Sequence, residues 1–271
     1  APYSSPTRLD GCLSSVGSEE SQSRQAASIE RTETLLSLNG TRVFAVVPVR
    51  LQSRRFPNKA LQVIDGRPML GHLIHNLLGT GQFEDVIVTS GDDIVLDAAR
   101  RFGATAARAQ GEFRNGTQRV ASAVSALGLA AETIVNVQGD MPAVEERAIA
   151  GLVTLLADAS LGCWTLSRDC KSEAEQADPN RVKVVVDSCS RACYFSRAPI
   201  PFDAAVGSTR IHVGVYGFQP EQLLRYVDSP ISEVSVSEDL EQLDWMMAGH
   251  GIGVHHCNWS VPSVDQPSDV A

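Results

Sequence analysis

From Arg42 onward, short apolar runs alternate with stretches whose apolar positions recur every three to four residues. The apolar runs predict strands at 42–47, 85–89, 104–107, 133–137, 162–167, 182–186, 212–218 and 253–257. The periodic stretches predict helices at 68–79, 94–102, 116–127, 145–157, 220–226 and 238–247. Regular alternation of the two through the first hundred of these residues predicts an α/β fold with a mostly parallel sheet and helices on both faces. Ligands of such sheets sit beyond the carboxyl ends of the strands, the edge on which Arg50, Gly91 and Asp140 would fall.

Two regions depart from this rhythm. Between Val182 and Phe218 a strand opened by Asp178-Pro179-Asn180 leads into the proline-stiffened segment Ser196-Arg197-Ala198-Pro199-Ile200-Pro201 and another strand. This predicts a small hairpin-like β excursion, the candidate for a dimer contact. Residues 1–40 are rich in Ser, Glu, Gln, Arg and Thr, with few aliphatics before Leu35. They read as a disordered or weakly helical extension ahead of one domain over 41–271. At the other end, Pro267 and Asp269 look like the first turn of a helix, so the chain is expected to be an excerpt of a longer polypeptide.

The chain's 271 residues support a sizeable core, and its 43% hydrophobic and 20% charged content is ordinary for a soluble globular protein. A net charge of -9 argues against a general nucleic-acid binder or a membrane-surface protein. No apolar run approaches the ~18 residues of a bilayer span. Cys12, Cys163, Cys170, Cys189, Cys193 and Cys257 lack paired metal-ligand spacing; Cys189 and Cys193 resemble half a zinc site without its second half. A reduced, cytoplasmic protein is expected.

Against that acidic background, Arg50, Arg54, Arg55 and Lys59 crowd the turn after the first strand. Such crowding at a strand end suits a polyphosphate, with a solvated basic loop as the alternative. A second strand ends in Gln138-Gly139-Asp140-Met141-Pro142, where Gly139 permits close backbone approach and Asp140 offers a hard oxygen ligand. A carboxylate facing a basic loop suggests Mg²⁺ on phosphate; the other reading is an Asp capping the next helix.

From about Arg42 to Asp269 the chain resembles the cytidylyltransferases that activate 3-deoxy-manno-octulosonate (Kdo), the lipopolysaccharide sugar, as a divergent member. The resemblance rests on Pro48, Arg50, Ser53, Arg55, Pro57 and Lys59 in the basic turn and on Val135-Asn136-Val137-Gln138-Gly139-Asp140. Val182-Lys183-Val184-Val185, Tyr194-Phe195-Ser196-Arg197-Ala198, His212-Val213-Gly214-Val215-Tyr216-Gly217, Leu240-Glu241-Gln242-Leu243 and Val264-Asp265 extend it in order. It implies a Rossmann-like core of the nucleotide-diphospho-sugar transferase type, working with CTP and Mg²⁺ on an acidic sugar, as a homodimer. It further implies that Arg50, Ser53, Arg55 and Lys59 bind the triphosphate, with Lys59, Arg55 and Asp140 the catalytic group. Gly116, Thr117 and Arg119 would lie near the nucleotide, and Asp140 and Asp265 would hold the metal. Gln138, Arg197, His212, Tyr216, Glu241 and Gln242 would line the acceptor site.

Several positions depart from the family pattern. Phe113-Arg114-Asn115-Gly116-Thr117-Gln118-Arg119 stands for the usual His-x-Ser-Gly-Thr-Glu-Arg, Ser90-Gly91 for Thr-Asp, and Met141 for a glutamate after Asp140. The loop over 203–210 is short, and extra serines occupy 232–237. The leading expectation is CMP transfer to a Kdo-like 2-keto-3-deoxy acid. Because the last two changes flank the acceptor residues, an acceptor other than plain Kdo is expected, such as an amino-Kdo or another 2-keto-3-deoxy acid, with a nonulosonic acid or a phosphonate as the alternative. A non-catalytic, nucleotide-binding paralogue is the remaining alternative, weakened by the survival of Lys59, Asp140 and Asp265.

Overall fold

Val43–Pro48, buried at every position, forms β1 in the interior of the sheet. Val43, Ala45 and Val47 enter one hydrophobic core and Phe44 and Val46 the other, as the two-residue period of a strand requires. The computed structural model describes residues 42–52, 56–129, 131–156, 161–259 and 264. Beside β1 lie β4 (Asp85–Ser90) and β6 (Thr133–Val137), both parallel to it, and β5 (Thr105–Arg108) extends the parallel set beyond β4. The turn between β1 and α1 carries a short antiparallel pair, β2 (Val63–Ile64) and β3 (Arg67–Pro68).

On the far side of β6 the sheet changes direction. β10 (Arg210–Phe218) runs antiparallel to both β6 and β7 (Cys163–Asp169), and β11 (Gly253–His256) lies parallel to β7. The order is β11-β7-β10-β6-β1-β4-β5, with the hairpin β8 (Lys183–Val186) and β9 (Ala192–Ser196) attached to β10. The expected β excursion is therefore confined to β8 and β9. Its second expected strand is a central strand, buried because it fills the slot between β6 and β7.

Helices cover both faces. α1 (Met69–Gly79), α2 (Asp93–Arg101) and α4 (Glu146–Leu156) bury Leu70, Leu73, Val95, Ala99, Ile149 and Leu152 in one core. α3 (Gly116–Leu127), α6 (Pro220–Val227) and α8 (Gln242–Met247) bury Val120, Val124, Leu223, Leu243 and Trp245 in the other. α5 (Glu173–Ala177) is a single turn capped by Ser172, ahead of β8. The spacing thus located the sheet and both helical layers.

The helix expected over 238–247 is broken. α7 (Glu233–Glu238) ends at Asp239, which adopts the left-handed conformation at φ 52°, and α8 starts three residues later. Two carbonyls freed at this break, those of Glu238 and Asp239, accept hydrogen bonds from Arg197 Nε at 2.7 Å and Nη2 at 3.0 Å. The serines ahead of it build α7 itself: Ser232 Oγ accepts from the Ser235 amide at 3.0 Å, and Ser237 Oγ donates to the Glu233 carbonyl at 2.9 Å.

Candidate active site

The carboxyl ends of β1 and β6 are held together by what cannot fit between them. A Cβ on Gly139 would lie 2.9 Å from Val49 Cγ2 and 3.1 Å from the Pro48 carbonyl, so the two strand ends meet backbone to side chain. Gly116 opens α3 in the same packed corner, where a Cβ would meet Gln138 Oε1 and Pro48 Cγ, each at 3.2 Å. Asn115 caps that helix by accepting from the Gln118 amide at 2.9 Å. These elements enclose a cavity of about 190 Å³ lined by Arg50, Lys59, Asn115, Gly116, Arg119, Gln138 and Asp140.

The chain after β1 is shaped by backbone anchors. The Val49 amide donates to the Thr89 carbonyl at 2.9 Å, and the Leu51 amide to Asp92 Oδ2 at 3.1 Å. Asn58, left-handed at φ 56°, returns the chain by donating its amide to the Leu51 carbonyl at 2.9 Å. Lys59 follows, and its Nζ donates to Asp140 Oδ2 at 2.9 Å and to the Val264 carbonyl at 3.3 Å. The Val264 amide in turn donates to the Asp140 carbonyl at 3.0 Å.

Positive charge accumulates here. Burial, reinforced by the charge of Arg50, lowers the pKa of the Arg119 guanidinium against the pull of Asp92. Its Nη1 donates to the Val49 carbonyl at 3.3 Å and it lies 5.4 Å from the Phe113 ring centroid, while its buried Nε has no acceptor among the described residues. A cavity with Arg50, Lys59 and Arg119 on its walls and one carboxylate between them is suited to a phosphate chain. Asp140 is a single hard ligand, the usual protein share for a Mg²⁺ ion whose other ligands are phosphate and water oxygens, so the chemistry of the wall fits that ion.

The sequence-expected nucleotide and catalytic residues thus divide. Arg50, Lys59, Gly116, Arg119 and Asp140 share the cavity. Thr117 does not line it: fully buried, its hydroxyl donates to Glu241 and accepts from Asn136 Nδ2 at 3.1 Å. Ser53, Arg55 and Asp265 lie outside the described residues. Asn115 and Asp92 were not anticipated. The Asn115-x-x-Gln118 spacing at a helix start is a capping signal that points to the first; Asp92 carries only a position, two residues past a strand end.

The acceptor candidates are dispersed. Gln138 lines the cavity just described. Glu241 lines a second cavity of about 400 Å³, together with Arg114, Asn115, Ser235, Asp239, Leu240 and Asp244, and Asn115 belongs to both. Burial lifts the Glu241 carboxyl to about 7, despite the hydrogen bond from Thr117 and the charge of Arg114. His212 lines a smaller cavity with Arg168, Arg181 and Gly214; its Nε2 is 2.9 Å from Thr165 Oγ1, and burial depresses the imidazole to about 3, leaving it neutral.

Three acceptor candidates line none of these cavities. Arg197 spends its guanidinium on the carbonyls of Glu238, Asp239 and Pro179, and its backbone amide donates to Glu238 Oε2 at 2.8 Å. Tyr216 is packed among His212, Phe218 and Tyr226, with ring centroids 5.4, 6.0 and 6.4 Å away. Gln242 is 3% exposed and its Nε2 lacks an acceptor among the described residues. Arg197 in particular is held by Glu238 and Asp239, some forty residues away in sequence, which no local motif reveals.

Comparison with known proteins agrees with this geometry. A cytidylyltransferase family model matches residues 44–252. The 3-deoxy-manno-octulosonate cytidylyltransferase of Nitratidesulfovibrio vulgaris (strain DP4) is 37% identical over 234 residues, covering 84% of this chain and 92% of that protein. The 8-amino-3,8-dideoxy-manno-octulosonate cytidylyltransferase of Shewanella piezotolerans (strain WP3) is 34% identical over 233 residues, covering 84% and 95%. Among solved structures, CMP:2-keto-3-deoxy-manno-octonic acid synthetase complexed with CTP superposes with a TM-score of 0.78 at 32% identity, covering 85% of this chain and 95% of that one. The match begins within β1, takes in the Lys59–Asp140 cavity and α8, and ends at the residue before β11: the chain belongs to the cytidylyltransferase family.

Proposed function

We propose that this protein transfers CMP from CTP to the anomeric hydroxyl of a Kdo-like 2-keto-3-deoxy acid and releases pyrophosphate. The observation that carries this reading is the cavity at the carboxyl edge of β1 and β6, where Arg50, Lys59 and Arg119 surround Asp140. Support comes from the relatives named for Kdo and amino-Kdo transfer and from a structural neighbour complexed with CTP.

In this reading the triphosphate lies among the cations, and negative charge building on the phosphoryl oxygens and the departing pyrophosphate meets fixed positive groups. Lys59 exchanges its contact with Asp140 for a phosphate oxygen, and the first-turn amides of α3 face the nucleotide. Asp140, joined by Asp265, would hold Mg²⁺, which supplies Lewis-acid stabilisation of the phosphoryl oxygens when bound. Glu241, in the cavity that shares Asn115 with the nucleotide site, contacts acceptor hydroxyls. A homodimer joined through the β8–β9 hairpin, a cytoplasmic location and a place in lipopolysaccharide synthesis complete the proposal. Among the described residues, no helix is long and apolar enough to cross a membrane.

A second acceptor class, an amino-Kdo, is favoured by a specific observation: with Asp244 paired to Arg114, the carboxyl groups of Asp239 and Glu241 remain on the wall of the second cavity, which suits an ammonium group. Pyrophosphate release from CTP with Mg²⁺ tests both against a panel of Kdo, 8-amino-Kdo, a nonulosonic acid and a phosphonate. Turnover with the first two supports the proposal; turnover with a non-sugar acid alone overturns it.

A further inference from the structure

The residues at the heart of this inference are an arginine and an aspartate that the family pattern does not assign. Arg114 immediately precedes Asn115, the residue common to the two cavities, and it lines the second one. Its Nη2 donates to Asp244 Oδ2 at 2.6 Å, while its backbone amide donates to Gln118 Oε1 at 2.9 Å. The remaining guanidinium donors, on Nε and Nη1, have no acceptor among the described residues. The Arg114 side chain is 37% exposed, so these donors are within reach of a ligand, whereas the Asp244 side chain is 3% exposed.

Asp244 is itself fixed. Its Oδ1 accepts from the Ser232 amide at 2.7 Å. Burial alone would raise its pKa, but hydrogen bonds from Ser235 and Ser232 and the charge of Arg114 hold it below the ordinary carboxylate range. A buried carboxylate pinned in this way fixes the plane of the guanidinium it grips. Charge neutralisation within the pair also removes most of the attraction that a bare arginine would exert on a carboxylate. What the pair itself turns toward the cavity is a rigid set of N–H donors with little net field. That chemistry recognises neutral oxygen acceptors such as sugar hydroxyls. Leu240 and Ile231 on the same wall offer apolar contact to the C–H faces between them.

We propose that the second cavity receives the polyhydroxy tail of the acceptor, and that Arg114, oriented by Asp244, donates to its hydroxyl oxygens. Arg114 is then a specificity-determining contact and Asp244 a positioning residue acting through it. This rests on the proposed CMP transfer and deepens it: the carboxylate and anomeric centre stay near the nucleotide cavity, and the tail points between α3 and the α7–α8 break.

The test uses steady-state kinetics of the full chain with CTP, Mg²⁺ and Kdo. Arg114→Gln should raise the acceptor KM about tenfold, the loss of one to two donors in a partly desolvated site, with the CTP KM within about twofold of wild type. Arg114→Gln strands the Asp244 charge, so the paired variant Arg114→Gln/Asp244→Asn provides the folding control. Because Asp244 acts through Arg114, the pair should show the same acceptor KM as Arg114→Gln alone, and Asp244→Asn by itself should raise it by a smaller factor. A rise in the CTP KM equal to that for acceptor, an unchanged acceptor KM, or independent additive effects of the two substitutions would overturn the proposal. Failure of wild type to turn over any acid on the panel would instead sink the underlying transferase reading, and this one with it.

Discussion

Lys59 Nζ lies 2.9 Å from Asp140 Oδ2, so the two residues proposed for phosphate and metal neutralise each other. With side chains 19% and 29% exposed, the pair is only partly screened from water. Its worth to folding is therefore at most about 1 kcal/mol, while in the proposed reaction both groups would be redeployed onto the substrate. Asp140→Asn should lower turnover by about two to three orders of magnitude and weaken its Mg²⁺ dependence. Urea unfolding should stay near that of wild type. Pyrophosphate release titrated with Mg²⁺ checks the first expectation; an unaltered Mg²⁺ profile removes Asp140 from the metal site.

Arg119 and Arg50 repel each other, and Arg119 Nε is buried without an acceptor among the described residues. An anion entering the cavity relieves both penalties. Inorganic pyrophosphate should raise the melting temperature of wild type, and the rise should shrink as salt is added. In Arg119→Gln the ligand-free protein should melt within about 2 °C of wild type, because the repulsion is lost along with the hydrogen bond. Its pyrophosphate-induced shift should fall by at least about half. Equal shifts in the two proteins would separate Arg119 from the anion site.

Glu241 makes stability depend on pH in an unusual direction. Its carboxyl is raised from the ordinary 4.5 to about 7, so between those values the native state holds a proton that the unfolded chain has released. Stability from this residue therefore falls as pH rises through the window, by about 3 kcal/mol at most. His212, neutral with its imidazole depressed to about 3, works oppositely: below 6.5 the unfolded chain takes up the proton, so stability falls as pH falls. The two must be separated by difference. Wild type minus Glu241→Gln, followed by urea unfolding from pH 4.5 to 7, should show the falling slope; a flat difference would place the Glu241 carboxyl in the ordinary range.

Arg197 stands apart from the other acceptor candidates because its guanidinium is spent on main-chain carbonyls at the α7–α8 break. Arg197→Ala should cost about 2 kcal/mol of folding stability, from carbonyls left without donors. Lysine should not rescue it, since one ammonium cannot reproduce a fork spread over Glu238, Asp239 and Pro179. Chemical denaturation of the three proteins decides this; a large rise in acceptor KM at unchanged stability would reassign Arg197 to the substrate.

The parts of the fold that sequence pattern captured are those where one local rule dominates. β1, β4 and β6 are apolar runs because both faces of a central parallel strand are covered, and their ends delivered Arg50, Gly91 and Asp140 to one edge. β9 escaped notice since Ala192–Ser196 alternates weakly and is recognisable only through pairing with β8. The helix over 238–247 was overextended because its apolar spacing continues across Asp239, and the break is held by Arg197, some forty residues earlier. Site residues followed the same division. Lys59 and Asp140 are announced by strand ends and turn chemistry. The link from Thr117 to Glu241 spans 124 residues and leaves no local trace.

The placement of β10 also bears on how the chain is made. Among the described residues, β7 pairs with β10 and β11 and with no other strand, although it leaves the ribosome more than forty residues before β10 begins. The parallel set β1, β4, β5 and β6 is complete by Val137 and can close while synthesis continues. β7, with its buried Cys163, Trp164 and Leu166, must wait as an unpaired apolar edge until β10 docks beside β6 and gives it a neighbour. Aggregation during expression should therefore be governed by the interval between β7 and β10, and a translational pause placed within it should lower soluble yield more than the same pause before β6.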